Sequence, residues 1–284
     1  MSLPTNFFIG RGGEKSVLTE YLGESSGNFT THVSNVYTYR GLTTVNVSGW
    51  PRRWVLTQGQ NGGSEDIRFG TIDRSTGVFT QTNLIQSSTG GTQRDRYYDG
   101  SVVYISSYSS GVLYGAGRNN FSSSMGNINS SDRNIQLNAS FTPQGGTSVW
   151  GLAHQSSIDR LHIFTYNGAS YYVNNFSTNN LNAAADGTIG WQDSSGNYID
   201  ASCGAYDYDR DVFYIGRYSG ANGVIYVCNP DGTHVHQFNA PNTPTNFEAD
   251  SMHYDDGMLA VQWGGNFAIN GTSGYNLRLY AKNI

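Results

Sequence analysis

Glu248 and Asp250 stand two residues apart late in this chain, and Asp207 lies in the repeat before them. Carboxylates in such numbers can divide acid–base work. One, held protonated by its surroundings, acts as general acid; another stays ionised as base or nucleophile, the pairing that cleaves glycosidic bonds. Glu248 is the sole glutamate beyond Glu65. Other chemistry is thinly represented. His234 and His236 alternate as residues on one face of a strand would, which can seat a metal only with a third ligand from a neighbour. The plainer reading is two solvent-facing histidines on an outer strand. His253 with Asp255 and Asp256 forms a second polar cluster, read as the turn Asp255-Asp256-Gly257. No Gly-x-Ser-x-Gly elbow and no calcium loop of alternating acids occurs, so neither a serine nucleophile nor a calcium site is expected. The glycine pairs Gly62-Gly63 and Gly90-Gly91 do not join a strand to a helix, which argues against a phosphate cradle. No cofactor and no metal is expected.

These residues must be positioned by strands. Short apolar and aromatic runs start at Trp54, Val102, Leu161, Val212 and Met258, at spacings of 48, 59, 51 and 46 residues. Each is followed by a Gly- or Asn-containing turn and a second apolar run. A period near fifty built of short strands is the pattern of a β-propeller, one four-stranded blade per repeat. The expected fold is all-β: a five-bladed β-propeller over residues 33–284, preceded by an extended docking arm over residues 1–32. The spacing of 59 marks a polar insertion at residues 119–138, and a second long polar loop is expected over 177–197. Asp99-Gly100, Asn167-Gly168 and Asn229-Pro230-Asp231-Gly232 read as tight turns, since Pro fixes φ and Gly tolerates its positive range. The fifth repeat has three strands before the chain stops. A strand from the N-terminal side is expected to complete it and remove an exposed edge, with residues 34–41, SNVYTYRG, as the candidate.

Composition bounds the function. Only 13% of the 284 residues are charged, and 37% are hydrophobic. Ser, Thr, Asn, Gly and Tyr make up the balance, a hydrogen-bonding surface with few ions. The net charge of −5, with two lysines, Lys15 and Lys282, speaks against a nucleic-acid backbone as partner. No basic n-region with a long apolar stretch opens the chain and no window is apolar enough for a membrane span, so no signal peptide and no membrane partner is expected. Cys203 and Cys228 fall on the first and third strands of the fourth repeat. One strand intervenes, which sets them too far apart for a bridge; two free, buried thiols are expected. Twenty tyrosines and five tryptophans exceed what strand packing consumes, and such rings stack on sugars and anchor protein contacts.

The fourth repeat, YDxxRDVxYxG followed by GxIYVxNPDGT, resembles generic propeller repeats, and the resemblance to a five-bladed propeller covers residues 34–284. Several glycosidase families share that architecture and set their carboxylates at one end of the central channel. The resemblance then implies Glu248, Asp250 and Asp207 as candidates, although residues 45–53, where those families hold an acid, contain none. The opening PTNFFIGRGG and the composition resemble those of bacteriophage virion and tail proteins. This implies a virion structural or binding protein, not an enzyme, assembled in the host cytoplasm. It would dock on other virion proteins through its arm, with Phe7, Phe8, Ile9 and Arg11 as contact residues, and display a propeller face to a partner or a host-surface glycan. A propeller glycosidase and a free-standing sugar-binding lectin are the alternatives.

Overall fold

The structure is a computed structural model. It describes the backbone of twenty strands and, with side chains, residues 41, 43–44, 149–165, 170–176, 185–217, 223–240, 249, 251–255 and 257–263. In chain order the strands are β1 (Glu20–Glu24), β2 (Val36–Val45), β3 (Arg53–Gln60), β4 (Glu65–Ile72), β5 (Phe79–Ser87), β6 (Gln93–Tyr98), β7 (Val102–Ser107), β8 (Leu113–Gly117), β9 (Leu137–Phe141) and β10 (Val149–Gln155). There follow β11 (Arg160–Thr165), β12 (Ser170–Asn174), β13 (Gly187–Ile189), β14 (Ala201–Asp207), β15 (Val212–Arg217), β16 (Val224–Cys228), β17 (His234–Asn239), β18 (Glu248–Asp255), β19 (Met258–Gly264) and β20 (Leu277–Ala281). No helix occurs among the described residues.

The strands form five four-stranded antiparallel sheets, β2 to β5, β6 to β9, β10 to β13, β14 to β17, and β18 to β20 with β1 at the edge. The first strands pack on one another in the succession β2, β6, β10, β14, β18 and back to β2. All five apolar runs singled out in the sequence are second strands. Their bulk makes the core: Val212, Phe213, Tyr214 and Ile215 are buried, as are Leu161, Ile163 and Phe164. Alternate residues face the sheet on either side. From β15, Phe213 and Ile215 join Trp191 and Phe164 between the third and fourth sheets, while Val212 and Tyr214 join Met252, Leu259 and Trp263 between the fourth and fifth. Each large side chain so buried contributes about 1.5–3 kcal/mol.

The first strands approach closely. A Cβ on Gly151 would lie 2.8 Å from the Cα of Cys203 on the next sheet. Near its start each of β10, β14 and β18 slips by one residue, leaving Trp150, Ser202 and Asp250 unpaired in the register. The bulge at Ser202 serves the packing: its hydroxyl donates to the carbonyl of Ala249, 2.9 Å away, and so ties β14 to β18 start to start. The turn at 229–232 is tight as expected. Gly232 takes φ 91°, and a Cβ there would meet the Gly190 carbonyl oxygen at 2.1 Å.

Three expectations are corrected. The strand that completes the last sheet is β1, pairing Glu20 with Ala281 and Tyr21 with Tyr280. Of the expected candidate, residues 34–41, the described residues 36–41 fall instead in β2, the first strand of the first sheet, where Val36 pairs with Gln60. Its longer apolar alternation suits an inner strand, and the shorter EYLGE suffices at an edge. The polar stretch 177–197 is not all loop, since Gly187–Ile189 pairs with β12 as β13. His234 and His236 do not share a face. A bulge at Val235 pairs them with consecutive residues, Cys228 and Val227, which point to opposite sides. Both cysteines are free and buried.

Candidate functional site

The ends of β10, β14 and β18, with Thr44 of β2, enclose a pocket of about 220 Å³. Its polar wall consists of His154, Tyr206, Tyr208, His253, Tyr254 and Asp255; Leu152 and Met252 close the apolar side.

Register explains how the sequence puts these groups there. Gln155, Asp207 and Asp255 are equivalent last residues of first strands, pairing with Arg160, Val212 and Met258. The residues before them, His154, Tyr206 and Tyr254, therefore share one position in three sheets. In the third and fourth sheets the following turn ends on an aspartate in the left-handed region, Asp159 at φ 52° and Asp211 at φ 53°. That conformation, tolerated by Asp, turns the carboxylate back onto the strand. Tyr206 donates its hydroxyl to Asp211 at 2.9 Å, and His154 Nε2 lies 3.0 Å from Asp159 Oδ1. In the fifth sheet the turn is shorter and ends on Gly257 at φ 77°. Tyr254 reaches instead to the neighbouring sheet, donating to Asp209 and accepting from Arg210 Nη1 at 3.2 Å. Burial, with the bond to Asp209, raises the Tyr254 pKa well above the ordinary phenol value. Burial likewise raises that of Tyr206. Both phenols stay neutral donors near pH 7. Within this repeated position His154 is the departure from tyrosine.

His253, one residue earlier on β18, shares a 3.0 Å hydrogen bond with Thr44 Oγ1 across the boundary between the last and first sheets. Two imidazoles thus face one pocket from different sheets. A third histidine, His162, is fully buried against Phe213, with ring centroids 4.6 Å apart. Burial, aided by Arg160, lowers its pKa from 6.5 to about 3, so it stays neutral. It occupies the place of Tyr214 in the next sheet and faces Gln155 as Tyr214 faces Asp207.

Of the carboxylates expected from sequence, Asp207 stands apart from the other two along the strand direction. Glu248 and Asp250 lie at the start of β18; their side chains are outside the described residues. Asp207 lies at the far end of the equivalent strand β14, six or so residue rises away, about 20 Å at 3.3 Å per residue. A glycosidic pair works at roughly 5–10 Å. Asp207 is also fully committed. Its Oδ1 accepts the backbone N–H groups of Asp209 and Arg210 at 3.0 Å, and its Oδ2 accepts Arg210 Nη1 and the Tyr214 hydroxyl at 2.8 Å. It builds the turn. Phe7, Phe8, Ile9 and Arg11 lie outside the described residues. Among the described residues no three His, Cys, Asp or Glu side chains are grouped to hold a metal ion, and no helix is long and apolar enough to cross a membrane.

His154 was not singled out in the sequence. The signal lay in aligning AHQSSIDRLHI with AYDYDRDVFYI, where histidine stands for tyrosine against an otherwise equivalent turn.

No family model matches the chain, and no curated protein matches it. Among solved structures it is similar to the glutaminyl cyclase of Myxococcus xanthus, with a TM-score of 0.57 and 13% identity over 93% of this chain and 98% of that one. The likeness is one of fold. Raptor of Chaetomium thermophilum superposes at a TM-score of 0.40 with 12% identity, over 82% of this chain and 18% of that one, too slight to carry an argument. The expected role as a virion structural protein is overturned here. The fold it was attached to is similar, over 93% of this chain, to that of a solved enzyme.

Proposed function

We propose that the chain is a five-bladed β-propeller enzyme that carries out acid–base chemistry in the pocket at the ends of its first strands. The observation that carries this reading is His154, held through Nε2 by Asp159 in a pocket that a second imidazole, His253, also lines. Five sheets whose first strands pack in succession support the propeller. A histidine held by a carboxylate is a general base whose tautomer and direction are fixed by its partner. With Nε2–H donated to Asp159, the other ring nitrogen carries the basic lone pair.

The name of the Myxococcus protein supplies the substrate class to test, a peptide with an N-terminal glutaminyl residue. Ring closure there needs only proton transfer. The α-amine nitrogen attacks the side-chain carboxamide carbon, that C–N bond forms, and the bond to the amide nitrogen breaks. His154 takes the proton from the attacking amine and returns it to the departing nitrogen, which leaves as ammonia. His253, which lines the same pocket, supplies a donor for the carbonyl oxygen as it gains charge.

Incubation of the purified chain with N-terminal glutaminyl peptides, followed for ammonia release and the matching mass loss, tests the reading. Conversion above the uncatalysed rate is expected. No conversion across peptides of varied second residue contradicts it.

A further inference from the structure

Three large apolar side chains are well exposed among the described residues, and two of them stand on the turns beside the pocket: Ile158 at 51% and Tyr208 at 47%. The two turns are tied together. Ser157 and Tyr206 share a hydroxyl bond of 2.9 Å, Ile158 follows Ser157, and Tyr208 stands two residues beyond Tyr206. Ser156 and Tyr208 both line the pocket, so its wall continues onto this rim without a break. Tyr208 is not loose. Its ring meets Tyr254 edge-on at 5.2 Å, which holds it upright at the mouth.

A cavity of about 220 Å³ takes a group the size of one residue. Whatever is joined to that residue must cross the rim. There it meets two apolar side chains on turns that carry Asp159, Asp209 and Asp211 against the single Arg210. That surface complements a short polypeptide segment bearing an amino terminus and an apolar side chain next to it.

Building on the reading above, we infer that Ile158 and Tyr208 form the subsite for the second residue of a peptide substrate and select for an apolar side chain there. The pocket takes the first residue. The rim excludes water from one side of the next, and an apolar group left against solvent in a Ser-bearing peptide forgoes that contact.

The test compares Gln-Leu-Ala-Ala and Gln-Ser-Ala-Ala amides on the wild-type chain and on Ile158→Ser, with kcat/KM from ammonia release and binding by calorimetry. Ile158 lies on an exposed turn outside the pocket, so the variant keeps the fold, checked by its melting curve. The wild type is expected to prefer the leucyl peptide by about tenfold, the scale of a modest apolar contact. Ile158→Ser should lower kcat/KM for the leucyl peptide until the two peptides are used alike. Equal use of both peptides by the wild type, or a preference that survives Ile158→Ser, overturns the subsite and leaves the catalytic reading standing. Failure of both peptides to bind or react overturns the catalytic reading and the subsite with it.

Discussion

Tyr254 donates its hydroxyl to Asp209 of the neighbouring sheet, where its equivalents His154 and Tyr206 bond to aspartates of their own turns. The shortened turn after β18 ends on Gly257 in place of an aspartate, and the tyrosine turns outward to find a partner. One consequence is a latch between the fourth and fifth sheets at the pocket wall, with Arg210 bridging Tyr254 and the buried Asp207. Tyr254→Phe removes the shared hydroxyl and should lower stability by about 1–2 kcal/mol, read as an earlier denaturation midpoint with unchanged slope. An unaltered midpoint would show that the latch does not hold the sheets.

His162 should contribute to the acid limb of stability. Its folded pKa is depressed to about 3 from 6.5, because burial among aromatic rings disfavours the charged ring. The unfolded chain therefore binds a proton between those values that the folded chain does not. Stability should fall as pH drops through that window, by about 1.4 kcal/mol per unit at its steepest. Above pH 6.5 both states carry neutral His162 and this contribution is flat. His162→Phe should flatten the limb between pH 6 and 4, measured by urea titrations. An identical limb in the variant would assign the acid sensitivity elsewhere.

The closure of the last sheet rests on β1. A chain lacking residues 1–24 loses the strand that pairs with β20 and should melt earlier and expose an edge prone to pairing with other chains. A chain lacking residues 1–19 keeps the strand and should melt as the full chain does. Equal melting of both truncations would contradict the pairing.

The thiols should be silent in the folded protein. Cys203 is fully buried, with its sulfur donating to the Ala249 carbonyl at 3.1 Å, and burial pushes Cys228 up to about 12. Thiolate, the reactive form, is scarce at pH 8. Alkylation should reach neither site before unfolding and both afterwards, without reductant, as counted by mass spectrometry. Rapid labelling of Cys228 in the folded chain would contradict its placement on β16.

What the sequence disclosed follows from how locally each feature is encoded. VFYIG and LHIFT are dense in β-branched and aromatic residues and have turn residues on both sides, so the second strands were legible. The Asp231-Gly232 turn was legible for the same reason. The seam was not. Whether EYLGE or SNVYTYRG pairs with β20 depends on the register of distant strands, and both segments are plausible edges. GTI at 187–189 is too short for any alternation to stand out. Asp207 was grouped with Glu248 and Asp250 because chemistry was read from residue type alone. Register places the two at opposite ends of equivalent strands, and Asp207 is consumed by its own turn. The pocket was invisible because His154 and His253 come to line one pocket only through the packing of first strands from separate sheets. The bulge at Val235, which separates His234 from His236, carries no signature in HVHQF.

The central claim is that His154 is the base of the pocket and Asp159 its orienting partner. Turnover of a glutaminyl peptide by His154→Gln, compared with wild type and with Asp159→Asn, tests it most directly. Asn tolerates the left-handed conformation that Asp159 adopts, so that variant should fold. The account predicts that kcat falls by about 10²–10⁴ in His154→Gln and by less in Asp159→Asn, with both melting cooperatively. Wild-type turnover in folded His154→Gln would contradict it.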